Sequence, residues 1–117
     1  MYSEMLLDAA HRPDHKKIPA KNVVKEKIAN PMCGDDLEVG LTLNDGAIEG
    51  AWWQGRGCLV CCGTAEILCE HICTKKVVAV KKIKASEVYK LIGFRPTPSR
   101  ETCALLSFQA VQKILGE

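Results

Sequence analysis

The sequence predicts an α+β fold in a single domain over residues 1–117, a three-stranded antiparallel sheet covered on one face by helices. Three observations carry this. Residues 37–43 alternate apolar and polar with a period of two, as a half-buried strand does. Asn44-Asp45-Gly46 follows as a hairpin signal, because glycine tolerates the positive φ of a tight turn. The second half holds stretches with helical spacing, 59–73 and 99–115. A chain of 117 residues suits one domain.

In chain order, a short helix is expected over Ser3–Ala10, capped by Ser3, with Tyr2, Leu6 and Ala10 on one face. Pro13 and Pro19 bracket a polar loop in which His11 and His15 read as surface residues. Val24, Glu26 and Ile28 then alternate with Val23, Lys25 and Lys27. Asn30-Pro31 stops that strand, since a residue before proline is restricted and proline lacks a donor. From Asp36, Leu37, Val39, Leu41 and Leu43 face one way, and Glu38, Gly40 and Thr42 the other. The return strand, Ala47–Gln54, places Ile48 and Trp52 on one face and Ala51 and Trp53 on the other. Such a sheet needs a cover for its apolar face. Gly55-Arg56-Gly57 forms a loop, and Leu59–Cys73 reads as a helix with Cys58 at its start. Residues 77–93 hold one or two short helices, with a start at Ser86-Glu87 and a stop at Gly93. Pro96 and Pro98 stiffen the next loop. Ser99 is the expected cap of a last helix through Leu115, whose Ala104, Phe108, Val111 and Leu115 should pack on the sheet.

Hydrophobic residues make up 47% of the chain, enough for a packed core rather than a disordered chain. A formal net charge of +2 and 5% aromatics argue against nucleic-acid binding. Lys75, Lys76, Lys81, Lys82 and Lys84 read as a solvated loop and helix edge; the alternative is a docking surface for an acidic partner protein. No apolar run is long enough to span a bilayer, so no membrane association is expected. Residues 1–10 carry Glu4 and Asp8 and lack a basic leader segment, so the expected location is the reducing cytoplasm. There the seven cysteines, an odd number that excludes complete pairing within one chain, are metal ligands, reactive thiols or small buried hydrophobes.

Three cysteines stand where chemistry is favoured. Cys33 lies in Asn30-Pro31-Met32-Cys33-Gly34-Asp35, a thiol beside a carboxylate with a glycine to let the backbone bend. Cys58 opens a predicted helix, and Cys103 sits in the first turns of another. Helix N-termini stabilise thiolate. Help of that kind matters, because a thiol with pKa about 8.5 is only a few per cent ionised at pH 7. Three independent thiols would be ionised together on the order of once in 10⁴ to 10⁵ molecules. A shared site therefore needs a metal, helix dipoles or cations. Separations of 25 and 45 positions do not by themselves gather the three, and ordinary burial of each remains the alternative.

Tyr2-Ser3-Glu4, the six-residue stretch around Cys33, Gly57-Cys58 opening a helix, and Arg100-Glu101-Thr102-Cys103 resemble, in order and over nearly the whole chain, the IscU/SufU/NifU N-terminal family of iron–sulfur scaffold proteins. The resemblance implies a small antiparallel sheet with helices on it. It implies a metal or nascent cluster held by Cys33, Asp35, Cys58 and Cys103, and partners that are a cysteine desulfurase and apo iron–sulfur proteins. The expected role is a non-enzymatic scaffold, monomeric or weakly dimeric, with a transient iron–sulfur cluster and with zinc as an alternative occupant. Cys103 is the expected sulfur acceptor, with Arg100 one turn before it to stabilise thiolate or persulfide. Thiolates suit iron–sulfur and zinc centres, and an Asp in place of a fourth Cys gives a harder, labile position.

The sequence mixes features of two branches. Thr102 stands where IscU-type members have His, and Pro96-Thr97-Pro98-Ser99-Arg100 replaces their Leu-Pro-Pro-Val-Lys stretch. Arg100 is SufU-like, yet the long SufU insertion before the third cysteine is absent. A zinc-bound sulfur acceptor for a desulfurase is therefore the second reading, and a structural zinc or adaptor module the third. A thiol oxidoreductase ranks below them, on the reading that the chain has no C-x-x-C pair. Cys62, Cys69 and Cys73 lie on one helical stripe with Cys58, and Cys61 is one step off it. They read as small residues at the helix–sheet interface; the alternative is that Cys61 or Cys62 joins the centre or relays sulfur. His71 on the same helix is an outlying candidate ligand.

Overall fold

A two-residue turn with Asp45 at φ 51° and Gly46 at φ 75° sets the register of the sheet. The computed structural model describes residues 4–12, 14–19, 21–30 and 34–116. Its elements are α1 (Glu4–His11), β1 (Val24–Asn30), β2 (Asp35–Asn44), β3 (Ala47–Arg56), α2 (Leu59–Ile72), α3 (Val77–Lys81), α4 (Ala85–Ile92), a 3-10 turn (Pro98–Arg100) and α5 (Glu101–Gly116). The strands form one antiparallel sheet in the order β1-β2-β3. Leu37, Val39 and Leu41 of β2 are fully buried beneath helices. α5 lies on β1 and β2, and α2 lies on β3 and beside α5. Ala104 and Val111 on α5 are buried in this layer, and Phe108 is packed at its margin. The expected α+β architecture in one unit is the one observed. The predicted cap Ser3 and Tyr2 lie outside the described residues.

Three local expectations are corrected. Ile48 does not share a face with Trp52; it is buried with Ala51 and Trp53. The cause is a bulge: Thr42 pairs with Gly50 but Leu43 pairs with Ile48, so Glu49 is an extra residue that reverses the alternation of β3. Ser99 does not cap α5. It lies inside the 3-10 turn, where its hydroxyl meets that of Thr97 at 3.2 Å, and α5 continues directly from that turn. His15 is not a plain surface residue. Its Nδ1–H donates to Ala51 O at 3.0 Å, and its backbone N–H donates to Glu66 Oε1 at 2.9 Å.

His15 belongs to a segment that the strand pattern does not reveal. Trp53 N–H donates to His15 O and Lys17 N–H donates to Trp53 O, both at 3.0 Å, so residues 15–17 run along the free edge of β3. Ile18 and Val23 then cross the second face of the sheet over Gly40. A Cβ on Gly40 would stand 2.6 Å from Val23 Cγ1 and 2.8 Å from Ile18 Cγ2, so only glycine lets this strap lie flat. The strap is held from the other side of β3 by Glu66 of α2, a carboxylate 3% exposed. Its Oε1 accepts from both Trp53 Nε1 (3.0 Å) and the His15 backbone. A buried charge is tolerable only when hydrogen-bonded in this way. Trp53→Phe, which keeps an aromatic side chain but deletes the N–H and leaves a void where the indole was larger, is expected to lower stability by about 2–5 kcal/mol. In urea this should appear as a lower midpoint with an unchanged slope; an unaltered midpoint would mean that Glu66 is satisfied without Trp53.

Candidate metal centre

The strap and the hairpin fix the far end of the sheet, where β1 ends at Asn30 and β2 begins at Asp35, paired with each other. Gly34 turns the backbone there at φ 75°, and its N–H donates to Asn30 O at 2.9 Å. This bend, expected from the glycine, delivers both side chains inward: Asn30 is 5% exposed and Asp35 is 4% exposed. Next to them, β3 ends and α2 begins at its N-cap, Cys58, whose extended backbone has φ −70° and ψ 171°. The first N–H groups of a helix lack partners within it. Here the Cys61 N–H donates to Cys58 Sγ at 3.4 Å, and the Cys58 N–H donates to Asp35 Oδ1 at 3.1 Å. The Cys58 thiol in turn points at Asp35 Oδ2, 3.8 Å away. From the third position of α5 comes Cys103, buried, with Asn30 Nδ2 donating to its Sγ at 3.9 Å.

One ligand atom from each of Asp35, Cys58 and Cys103 thus lies within 4.8 Å of the other two. Donors on one tetrahedral ion, with bonds of about 2.0–2.3 Å, stand slightly closer than this. Two sulfurs and an oxygen, Asp35 and Cys103 buried and Cys58 half-buried, brought together from three separate elements, are a donor set for zinc or iron and fit poorly with a hard cation such as Mg²⁺. Cys33 lies outside the described residues. Arg100 is exposed in the 3-10 turn that leads into α5.

The remaining cysteines divide by position. Cys61 is fully buried beneath the centre, and burial, reinforced by Asp35 and the nearby thiols, holds its thiol far above the ordinary range. Cys62 is half-buried and donates to Gly57 O at 3.6 Å. Burial raises its thiol, and Lys16 partly offsets that. Cys69 is a core residue raised by burial, and Cys73 donates to the carbonyl of the bulged Glu49 at 3.6 Å. These two serve the helix–sheet interface. His71 is lowered by burial and lies with Glu70, Cys73 and Lys75 around a shallow depression, away from the centre.

One contributor is visible only in three dimensions, and a second is written in the sequence. Asn30 is a neighbour of the Cys103 thiol, a role hidden behind its reading as a strand terminator. Cys61 completes a C-x-x-C pair, Cys58-Leu59-Val60-Cys61, which corrects the reading that the chain has none and removes that ground for ranking a thiol oxidoreductase last.

Residues 1–117 match the NifU-like N terminal domain. The chain belongs to that family. Among its relatives are the iron–sulfur cluster assembly scaffold protein IscU of Thermotoga maritima, 24% identical over 98% of this chain and 92% of the relative, and the zinc-dependent sulfurtransferase SufU of Bacillus subtilis, 24% identical over 97% and 88%. The IscU of Rickettsia prowazekii is 27% identical over 99% of this chain and 90% of its own length. The fold is that of a NifU-like N-terminal protein from Brucella abortus (TM-score 0.77, 15% identity, 97% and 91% of the two chains covered). It is also that of a SUF-system scaffold protein from Fervidobacterium islandicum (TM-score 0.78, 20% identity, 97% and 96% covered).

Gly57 leaves the space in which the centre is assembled. A Cβ there would lie 2.9 Å from Cys61 Sγ and 3.3 Å from Asp35 Cγ. Gly57→Ala should displace Asp35 from Cys58 and weaken zinc binding by about tenfold or more, the size of effect seen when the surroundings of a ligand are disturbed. Competition with a chromophoric chelator measures this, and an affinity equal to that of the parent would show that the carboxylate does not need its present position.

Proposed function

We propose that this chain is a scaffold on which iron–sulfur clusters are built, receiving sulfur from a cysteine desulfurase and passing the finished cluster to apo-proteins. The observation that carries this reading is the convergence of Asp35, Cys58 and Cys103 from three elements onto one point. Membership of the family and its scaffold relatives supports it. Cys33, Cys58 and Cys103 supply thiolates, and Asp35 is the fourth ligand. Iron and sulfide are cargo here, and iron when bound draws the thiolates together and accepts sulfide between them. The chain's own work is to keep water out, to hold the donors at the sheet end, and to offer one weak oxygen position through which the cargo can leave. Cys103 accepts the sulfur, and Arg100, one turn earlier, stabilises the charge of its thiolate or persulfide. The chain acts in the cytoplasm as a monomer or weak dimer; no helix among the described residues is long and apolar enough to cross a membrane.

A second reading has its own support. The same donors suit zinc, and the zinc-dependent sulfurtransferase is as similar to this chain, at 24% identity, as the Thermotoga scaffold. On that reading the chain takes sulfur from a desulfurase and releases it without holding a cluster.

Protein purified without oxygen should contain iron and acid-labile sulfide in matching amounts and show charge-transfer bands in the visible range. Zinc without sulfide, combined with failure of reconstitution by iron and sulfide, would replace the scaffold with the zinc-bound carrier. Asp35→Ala should lengthen the lifetime of the cluster severalfold and slow its transfer to an apo-acceptor; transfer at the parent rate would show that Asp35 does not provide the exit.

A further inference from the structure

Cys58 and Cys61 form a dithiol at the opening of α2, and the two residues differ in access. Cys58 is half-buried at the N-cap, while Cys61 is 0% exposed beneath it. The backbone N–H of Cys61 already donates to Cys58 Sγ at 3.4 Å. Residues three apart on a helix have Cβ atoms about 5–6 Å apart, and a disulfide needs about 3.5–4.5 Å. The difference can be made up at the N-cap, whose extended backbone lies outside the helical ladder. Helical side chains lean toward the N-terminus. Cys61 does so: its Sγ and the Asp35 carboxyl carbon both lie within 3.3 Å of the point where a Cβ on Gly57 would stand. The buried thiol therefore faces the centre, and holding a metal does not require it.

We infer that Cys58 and Cys61 act as an internal reductant, converting a sulfane sulfur delivered to the centre into hydrogen sulfide. This rests on the reading of the chain as a sulfur acceptor. Cys58 and Cys103 bring their sulfurs within 4.8 Å of each other, so a persulfide on Cys103 passes its outer sulfur to the Cys58 thiolate, and Cys103 leaves as thiolate with no net oxidation. Cys61 Sγ then attacks the inner sulfur of the Cys58 persulfide. A Cys58–Cys61 disulfide forms, the bond to the outer sulfur breaks, and that sulfur departs with the electron pair. The proton of Cys61 goes with it, giving H₂S. Two thiols are oxidised by two electrons and one sulfane sulfur is reduced to sulfide. An external thiol reductant reopens the disulfide for the next round and returns Cys58 to the centre as a ligand.

The test mixes the reduced full chain, under nitrogen, with glutathione persulfide, whose outer sulfur passes to a thiolate while glutathione leaves; the sulfide that the reagent releases with the Cys58→Ser chain is subtracted as background. Released sulfide is measured, and the cysteines are blocked and mapped by mass spectrometry. One sulfide should appear per disulfide formed, with Cys58 joined to Cys61. Cys61→Ser and Cys61→Ala should retain sulfane sulfur on the protein and release about tenfold less sulfide or lower still. Using both variants guards against misfolding, since one adds a buried hydroxyl and the other leaves a small void; thermal melting identifies which is intact. Sulfide release from an intact variant at the parent rate, or a disulfide from Cys58 to Cys62 or Cys103, overturns the inference alone. Failure of the parent to take up any sulfane sulfur overturns the acceptor reading as well.

Discussion

The hydrogen bond from the Cys58 backbone N–H to Asp35 Oδ1 is the contact on which the centre depends. It ties the first residue of β2 to the cap of α2, two elements that chain connectivity leaves 23 residues apart. It satisfies one of the donors that every helix start exposes, and it places a negative charge where the helix dipole favours one. The carboxylate has two oxygens with different duties. Oδ1 is committed to the backbone, and Oδ2 faces the Cys58 thiol. Asp35 therefore cannot turn freely toward a metal without giving up part of the joint between sheet and helix. In the proposed role of fourth ligand, Asp35 is weakened by this shared commitment as much as by the hardness of oxygen.

The same logic extends outward. α2 is aligned over β3 by Glu66, whose carboxylate holds the Trp53 ring and the strap that includes His15. The strap closes the second face of the sheet over Gly40. A buried carboxylate halfway along α2 and a thiol cap at its start fix both the tilt and the advance of the helix. The Cys58 thiol thus meets Asp35 and Cys103 without a local loop having to find them.

Much of this arrangement was legible in the residues. The period-two run from Leu37 to Leu41, the hairpin at Asn44–Gly46 and the helix after Cys58 are local signals, and local signals determine local structure. The bulge at Glu49 was not legible, because an extra residue in a strand leaves no mark on composition and becomes apparent only from the partner strand. His15 looked like a loop histidine because its partners, Ala51 and Glu66, are 36 and 51 positions away. For the centre, resemblance to a family pointed to Asp35, Cys58 and Cys103, whereas spacing alone could not gather them. Asn30 was not legible as a neighbour of the Cys103 thiol, because its place before Pro31 already explains it as a strand end and its partner lies 73 positions away.

The centre draws on the end of one strand, the start of the next and the starts of two helices, the outermost of these contacts, Asn30 to Cys103, spanning 73 positions. Contacts so distant in the chain form only after the loops between them have closed, which places them late in folding. A partly folded chain therefore lacks the donor set of Asp35, Cys58 and Cys103, whatever its local cysteines bind. The assembled donor set is itself a sign that the sheet end and both helix starts have come together, so the site doubles as a record of correct folding.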